Sequence, residues 1–378
     1  MQQYRVEFFE THYAAEAVDR RIQYVHHDFC NNLTIDDDYI SAQTTTIEIN
    51  ATEKVKSGQF VRILRDEEDY FFGVVDDVSP GKIQTMVNFK PFISLFDEPV
   101  MFNTTTQYVK NLRPGVPLET VLSSCIAQAH ILNGDAIQCY PFSITVPEEQ
   151  YLTDKWNMNI QSDTEGTGIA IVNLYTNLLV RALKEYGIAL RAVPDFSSGQ
   201  INLVISRISD IRNIDADLSN IVLKTFKVND RPRGINKLIV YNPDTYSAAQ
   251  LQSVIFYAHR NRDWDTENDN RVTPVKYNIR EVTPDESFSD PADGFAYAAY
   301  SAAYEEFGEL SWDNLIEVEC VPNDPLIKPM NMRVGQIVTI YYKDGAYTSI
   351  LSGRNIKFET ITLVFGTERI NYTKRRLF

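Results

Sequence analysis

Two distant stretches of this chain carry the same strand signature, and that repeat limits the folds open to it more than any other feature. From Val334 to Thr367 the sequence reads VGQIVTIYYKDGAYTSILSGRNIKFETITLVFGT. Apart from Ile337, its apolar residues alternate, as Val338 and Ile340 and then Ile361, Leu363 and Phe365, and Asp344-Gly345 supplies a hairpin turn. Alternation puts every second side chain on one face, so the stretch reads as antiparallel strands of a small barrel. From Ser57 to Phe89 the sequence SGQFVRILRDEEDYFFGVVDDVSPGKIQTMVNF carries the same Gly-Gln-x-Val-x-Ile. The matching residues are Gly58, Gln59, Val61 and Ile63 in one copy and Gly335, Gln336, Val338 and Ile340 in the other. Thr85-x-Val87-x-Phe89 then lies against Ile361-x-Leu363-x-Phe365, one residue nearer its glycine in the second copy. Four fixed positions recur by chance in β-rich chains; the second strand pair at nearly equal spacing favours one barrel made twice.

A chain of 378 residues exceeds what one core supports and predicts two to four domains. Lys and Arg number 36 against 51 Asp and Glu, a formal charge of −15. That balance argues against a sequence-specific nucleic-acid binder, which needs a basic surface for phosphates. It suits a conduit that nucleic acid crosses without sticking. No apolar run reaches membrane-spanning length, and MQQYRVEFFETHY is already a strand pattern rather than a signal peptide, so the expectation is assembly in a cytosol without membrane insertion. Cys30, Cys125, Cys139 and Cys320 are scattered and read as buried free thiols.

Taken in order, the chain predicts an α+β, mainly β protein. Residues 1–98 are strand-like throughout, with strands at Tyr4–Phe9, Arg21–Phe29 and Tyr39–Asn50 before the repeated hairpin, and form a first barrel. Residues 99–210 form an α+β middle unit. It has one helix carrying Leu118, Val121, Leu122, Cys125, Ile126 and Ala129, a second from Thr167 to Tyr186 ended by Gly187, and a hairpin of Ile188–Val193 with Ile201–Ile208. A hairpin of Val222–Val228 with Ile235–Tyr241 opens a second barrel over 211–243, which resumes at 315–378. The inserted residues 244–314 carry an Ala-rich helix, Asp293–Phe307, with Asp290 as N-cap and Tyr297, Tyr300 and Tyr304 in a row. Small residues let helices approach closely, so that helix serves either core packing or a tight interface.

Candidate chemistry is thin. His26-His27-x-x-Cys30 looks like a metal cluster, but adjacent strand residues point to opposite faces and cannot both ligate one ion. Asp263-x-Asp265-x-Glu267-x-Asp269 has calcium-loop spacing without the turn glycine or the closing bidentate glutamate, so a solvated loop is favoured. Glu165-Gly166-Thr167-Gly168 lacks the Lys-Ser/Thr of a phosphate loop and reads as a helix entry. Cys125 and His130, five apart on one helix, do not face each other as nucleophile and base. Lys374-Arg375-Arg376 reads as a solvated terminus. The expectation is a non-enzyme with no cofactor and no metal.

The barrel with Gly-Gln-x-Val-x-Ile at Gly335, the return strand Leu351-Ser352-Gly353-Arg354 and the ending Leu363-Val364-Phe365-Gly366-Thr367-Glu368-Arg369 together resemble the baseplate hub of tailed phages. More narrowly, the chain resembles the short tail-associated (Tal) hub proteins of lactococcal siphophages, relatives of the myophage central hub. The likeness spans the whole chain as an architecture, rests on short motifs and carries no catalytic residues. It implies a virion protein of the tail tip, a homotrimer whose two barrels per chain make a pseudo-sixfold ring. That ring docks on a hexameric distal tail protein of the Dit type, with the tape-measure and receptor-binding proteins as further neighbours. The remaining units form a dome that closes the channel through which phage DNA passes without sequence-specific binding. Longer members carry a C-terminal peptidoglycan hydrolase; this chain ends at Phe378, so that activity is expected to be absent.

Two other classes fit the same composition. A carbohydrate-binding adhesin needs an exposed aromatic shelf, which Tyr297, Tyr300, Tyr304, Trp264 or Trp312 could supply. A cell-wall hydrolase needs a carboxylate pair flanking the scissile bond.

Overall fold

The structure, a computed structural model, describes residues 3–13, 20–30, 33–103, 118–127, 141–147, 169–208, 210–217, 221–228, 236–245, 251–258, 264–268, 277–286, 288–307, 314–343 and 345–367. It is an α+β, mainly β protein of curled, barrel-type sheets, as the alternation predicts.

The first seven strands are β1 (Tyr4–Tyr13), β2 (Arg20–Cys30), β3 (Ile35–Asp38), β4 (Thr45–Asn50), β5 (Phe60–Arg65), β6 (Glu68–Pro80) and β7 (Gln84–Pro91). Six of them form one sheet in the order β2-β1-β5-β6-β7-β4. In β4 the β-branched run sorts by parity: Thr45, Ile47 and Ile49 are buried while Thr46, Glu48 and Asn50 face solvent. The expected strand Tyr39–Asn50 begins only at Thr45. Asp38 draws the chain into a turn before it, its Oδ1 accepting the Ile40 N–H at 2.8 Å.

The middle unit contains β8 (Pro99–Asn103), α1 (Leu118–Ile126), β9 (Phe142–Thr145), β10 (Ile169–Asn173), α2 (Val180–Tyr186), β11 (Ile188–Asp195) and β12 (Gln200–Arg207). Here the expected helix Thr167–Tyr186 starts too early. Ile169-Ala170-Ile171-Val172 pairs with β8, and helical structure begins as a π-turn over Leu174–Leu179 that runs into α2. Asn173 sets that boundary, its Oδ1 accepting the Thr176 N–H at 2.8 Å while its own N–H donates to Asn177 Oδ1 at 2.9 Å. Gly187, with φ of 68°, ends α2 in the left-handed conformation. The apolar faces of α1 and α2 close over β11 and β12 on a core of Leu118, Leu122, Leu183, Tyr186, Ile201 and Leu203, which reaches Phe60, Phe92 and Phe96 at one end of the first sheet.

The rest of the chain supplies β13 (Arg212–Asp215), β14 (Val222–Val228), β15 (Lys237–Tyr241), β16 (Ser253–Ala258), β17 (Trp264–Asp265), β18 (Tyr277–Glu281), α3 (Pro291–Phe307), β19 (Asn314–Cys320), β20 (Ile337–Tyr342), β21 (Gly345–Ile356) and β22 (Ile361–Phe365). The second large sheet runs β13-β20-β21-β22-β19-β14, and β3 from the first stretch adds to it by pairing with β21. The expected hairpin of Val222–Val228 with Ile235–Tyr241 does not form. β14 pairs with β19, whereas β15 lies between β16 and β18 in a separate sheet of order β17-β16-β15-β18. Leu238 and Val240, buried with Phe256 beneath α3, commit β15 to that smaller sheet. The expected turn at Asp344-Gly345 is shifted too: Gly345 already pairs with Tyr342, and Lys343, at φ 53°, takes the turn.

One core joins the two large sheets, with Tyr4, Val6, Phe8, Val61 and Phe89 of the first packed in the same cluster as Val318, Val338, Leu351, Leu363 and Phe365 of the second. Arg354 and Asp37 pin the seam where β3 meets β21, at 2.6 Å. Gly353 makes the approach possible, because a Cβ there would sit 3.1 Å from Asp38 Cα.

Candidate functional site

The two Gly-Gln turns have the same backbone geometry. Gly58 and Gly335 stand at φ 83° and 89°. The Gly58 N–H donates to Val75 O at 2.8 Å, and the Val75 N–H returns to Gln59 O at 2.8 Å. The second copy has Gly335 donating to Leu351 O and Leu351 donating to Gln336 O, both at 2.9 Å. Beyond the turn the registers coincide: Val61 faces Gly73 and Val338 faces Ser349, Val75 faces Phe89 and Leu351 faces Phe365, Thr45 faces Phe89 and Ile316 faces Phe365. A bulge falls at Asp76 in one copy and at Ser352 in the other. The residue by which the copies differ is Tyr70, skipped in the β5–β6 ladder between Ile63 and Leu64, and β20–β21 has no such shift. Five strands therefore occupy the same places in the same chain order, β1-β5-β6-β7-β4 beside β13-β20-β21-β22-β19; β1 is antiparallel to its neighbour and β13 parallel to its own.

Chemistry explains the glutamine. Gln59 and Gln336 are 4% and 5% exposed, so each amide needs protein partners. Gln59 Oε1 accepts the Lys56 N–H at 2.9 Å and its Nε2 donates to Lys54 O at 3.0 Å. Gln336 Nε2 donates to Asp210 O, tying the second strand entry to the segment that leads into β13. The bulges diverge in surroundings. Asp76 is exposed and pairs with Lys90 at 3.0 Å, whereas Ser352 is buried, its Oγ donating to Gly366 O at 2.6 Å and its carbonyl accepting the Tyr39 N–H.

The α3 helix turns its small residues inward: Ala299, Ala302 and Ala303 are buried with Phe295 and Phe307 against the small sheet. Tyr300 lies edge-on to Phe256 at 5.0 Å and remains 42% exposed; Tyr297 packs on Phe288 at 5.3 Å. Tyr304 belongs to α3, and Trp312 lies outside the described residues. Trp264 is buried against Phe256 and Phe307, so it contributes to a core and not to a sugar-binding shelf.

The parts of the metal and nucleophile motifs that lie among the described residues do not converge on a site. Asp28, between His27 and Cys30, is buried, its Oδ2 accepting the Asn50 N–H at 2.6 Å and its Oδ1 both the Asn50 side-chain amide at 2.9 Å and the Phe29 N–H at 2.7 Å, which ties β2 to β4 across the seam of the first sheet. His26 stacks on Phe8, and burial lowers its pKa. Asp265 Oδ1 accepts the Glu267 N–H at 2.6 Å; Asp263 and Asp269 lie outside the described residues, as do His130, Cys139, Glu165–Gly168 and the basic terminus. Burial pushes the Cys125 thiol up to about 12, leaving it protonated. Among the described residues no group of three His, Cys, Asp or Glu is placed to hold a metal, and no helix is long and apolar enough to cross a membrane.

No family model and no curated relative matches the chain. Solved structures similar to it include phage tail and baseplate proteins and a type VI secretion component. The 43 kDa tail protein of prophage MuSo2 from Shewanella oneidensis is 12% identical over 96% of this chain and 98% of its own, with a TM-score of 0.47. A tail protein from Neisseria meningitidis MC58 is 10% identical over 97% and 96%, TM-score 0.47. A chain of the phage P2 baseplate in its activated conformation with Ca is 12% identical over 96% and 98%, TM-score 0.44.

Proposed function

We propose that the chain is a structural hub of a phage tail tip, of the short tail-associated kind, acting without catalysis as a homotrimer. The observation that carries this reading is the register-for-register match of the β4–β7 and β19–β22 sheets. Two like modules in one polypeptide let threefold assembly present six near-equivalent units around one axis. Such a ring can meet a hexameric distal tail protein without a symmetry mismatch. The four-unit division is part of the same reading, with the small sheet under α3 and the α+β unit standing outside the ring as the material of a dome over the DNA channel. A net charge of −15 suits a passage that DNA must not adhere to.

Mass photometry and negative-stain averages of the purified chain test it. The expected particle contains three chains, shows a central hole with sixfold appearance, and binds a hexameric distal tail protein. A strictly monomeric chain that also fails to bind such a hexamer removes the reading.

A further inference from the structure

Where the two repeats meet the middle unit, the structure leaves a cleft of about 540 Å³. That is within the range of small-molecule sites. Its walls come from segments far apart in the chain, among them Tyr39 after β3, Phe72 of β6, Phe92 and Ile93 after β7, Phe196 after β11, and Val334 before the second Gly-Gln turn. Four arginines reach it in a chain with a large acidic surplus.

The four are not equivalent. Arg62 is held by Asp69 at 2.5 Å and Glu7 at 3.2 Å, and Arg354 by Asp37 at 2.6 Å. Arg191 has no carboxylate within ion-pair distance among the described residues. Its Nη1 donates to Ser206 O at 3.2 Å and Val334 O at 3.4 Å, and its Nη2 to Ser206 Oγ. Carbonyl and hydroxyl dipoles orient the guanidinium without neutralising it. Burial, with Arg333 adding repulsion, brings the Arg191 pKa down to about 10, opposed by Tyr39. Arg333, exposed at the mouth, likewise has no carboxylate partner among the described residues. With two ion pairs already closed, the lining carries two surplus positive charges.

We propose that this cleft binds a small organic acid, its carboxylate set between Arg191 and Arg333 and its aromatic or branched body against Phe92, Ile93 and Phe196. A guanidinium fork matches a carboxylate in plane, and each charge-assisted hydrogen bond made away from water is stronger than a neutral one. Apolar walls argue against inorganic phosphate, whose hydration they cannot replace. The site stands apart from the assembly reading, since it needs only the single chain. Because Arg191 also holds Val334 O, one residue before Gly335, an occupant would brace the β11 turn against the entry of the second repeat.

Calorimetric titration of the full chain with benzoate and 4-methylpentanoate tests it, with benzyl alcohol as the neutral counterpart and inorganic phosphate as the bare anion. Saturable binding of either carboxylate is expected, at least about tenfold weaker for benzyl alcohol, which loses the charged contact, and for phosphate, which has no apolar body to set against the walls. Arg333→Gln, at an exposed position that leaves the fold intact, is expected to weaken benzoate binding by the same factor, and Lys82→Gln on the distant hairpin to leave it unchanged. No saturable carboxylate binding overturns the proposal, as does equal binding of benzyl alcohol, tighter binding of phosphate, or undiminished benzoate affinity in Arg333→Gln.

Discussion

Gly58 and Gly335 share one conformation and one hydrogen-bond pattern but not one environment. A Cβ at Gly58 would meet nothing within 4 Å, whereas at Gly335 it would lie 3.0 Å from Ala189 Cβ, under β11. Left-handed φ costs an L-residue about 1–2 kcal/mol wherever it occurs. Gly58→Ala is therefore expected to cost about 1 kcal/mol, and Gly335→Ala about 2 kcal/mol because Ala189 must also give way. Urea unfolding of both variants checks this; equal losses would show that the middle unit does not press on the second turn.

The Arg354–Asp37 pair holds β3 on the second sheet, both side chains being under one-fifth exposed at 17% and 18%. Removing one partner leaves a charge in a poor dielectric, so Arg354→Gln is expected to cost about 2 kcal/mol. In a double-mutant cycle with Asp37→Asn, a coupling of at least about 1 kcal/mol is expected. A coupling near zero would mean that the ladder between Ile35–Asp38 and Gly353–Ile356 holds without the ion pair.

Local rules reach some of this fold and not the rest, for a physical reason. The parity of Ile47, Ile49, Val87 and Leu363 is written in neighbouring residues, and each of the four is buried on its inner face. The Gly-Gln turn is legible because its first hydrogen bonds are short-range, as in Gln336 N–H to Arg333 O. Asn173 is the local signal for the later helix start, since an Asn after a β-branched run marks an N-cap. The partners of β3 and β15 were not legible, because pairing, whether across most of the chain for β3 with β21 or with the nearby β16 and β18 for β15, depends on which apolar face finds which core. The Arg191 cleft belongs to that second kind, because its walls come from segments far apart in the chain.

His26 gives a pH dependence with a definite sign. Its Nε2 is buried without a hydrogen-bond partner among the described residues, and burial holds its pKa below the ordinary 6.5, with Lys54 and His27 acting in the same direction and Asp28 opposing. The unfolded chain thus binds the proton more readily, so this contribution to stability is present above about pH 6.5 and is lost as pH falls. His26→Phe, which keeps the stacking on Phe8, is expected to lose less thermal stability than the parent between about pH 7.5 and about pH 5.5. Parallel melting curves across that window in the two proteins would sink the assignment.

The α3 helix separates core from interface by which alanine is enlarged. Ala299 is fully buried against the small sheet, while Ala296, on the exposed side of the helix, has open solvent before it. Ala299→Leu forces extra methyl groups into packed space and is expected to cost about 1–3 kcal/mol. Ala296→Leu is expected to change the stability of the isolated chain by no more than about 0.5 kcal/mol. If the exposed side of α3 contacts a neighbouring subunit in the proposed trimer, Ala296→Leu shifts the trimer equilibrium without altering unfolding of the single chain, whereas Tyr300→Ser, which also removes the ring packed on Phe256, lowers the stability of both. Dissociation of the proposed trimer unchanged in Ala296→Leu, measured by dilution in mass photometry, would assign α3 to the core of its own unit alone.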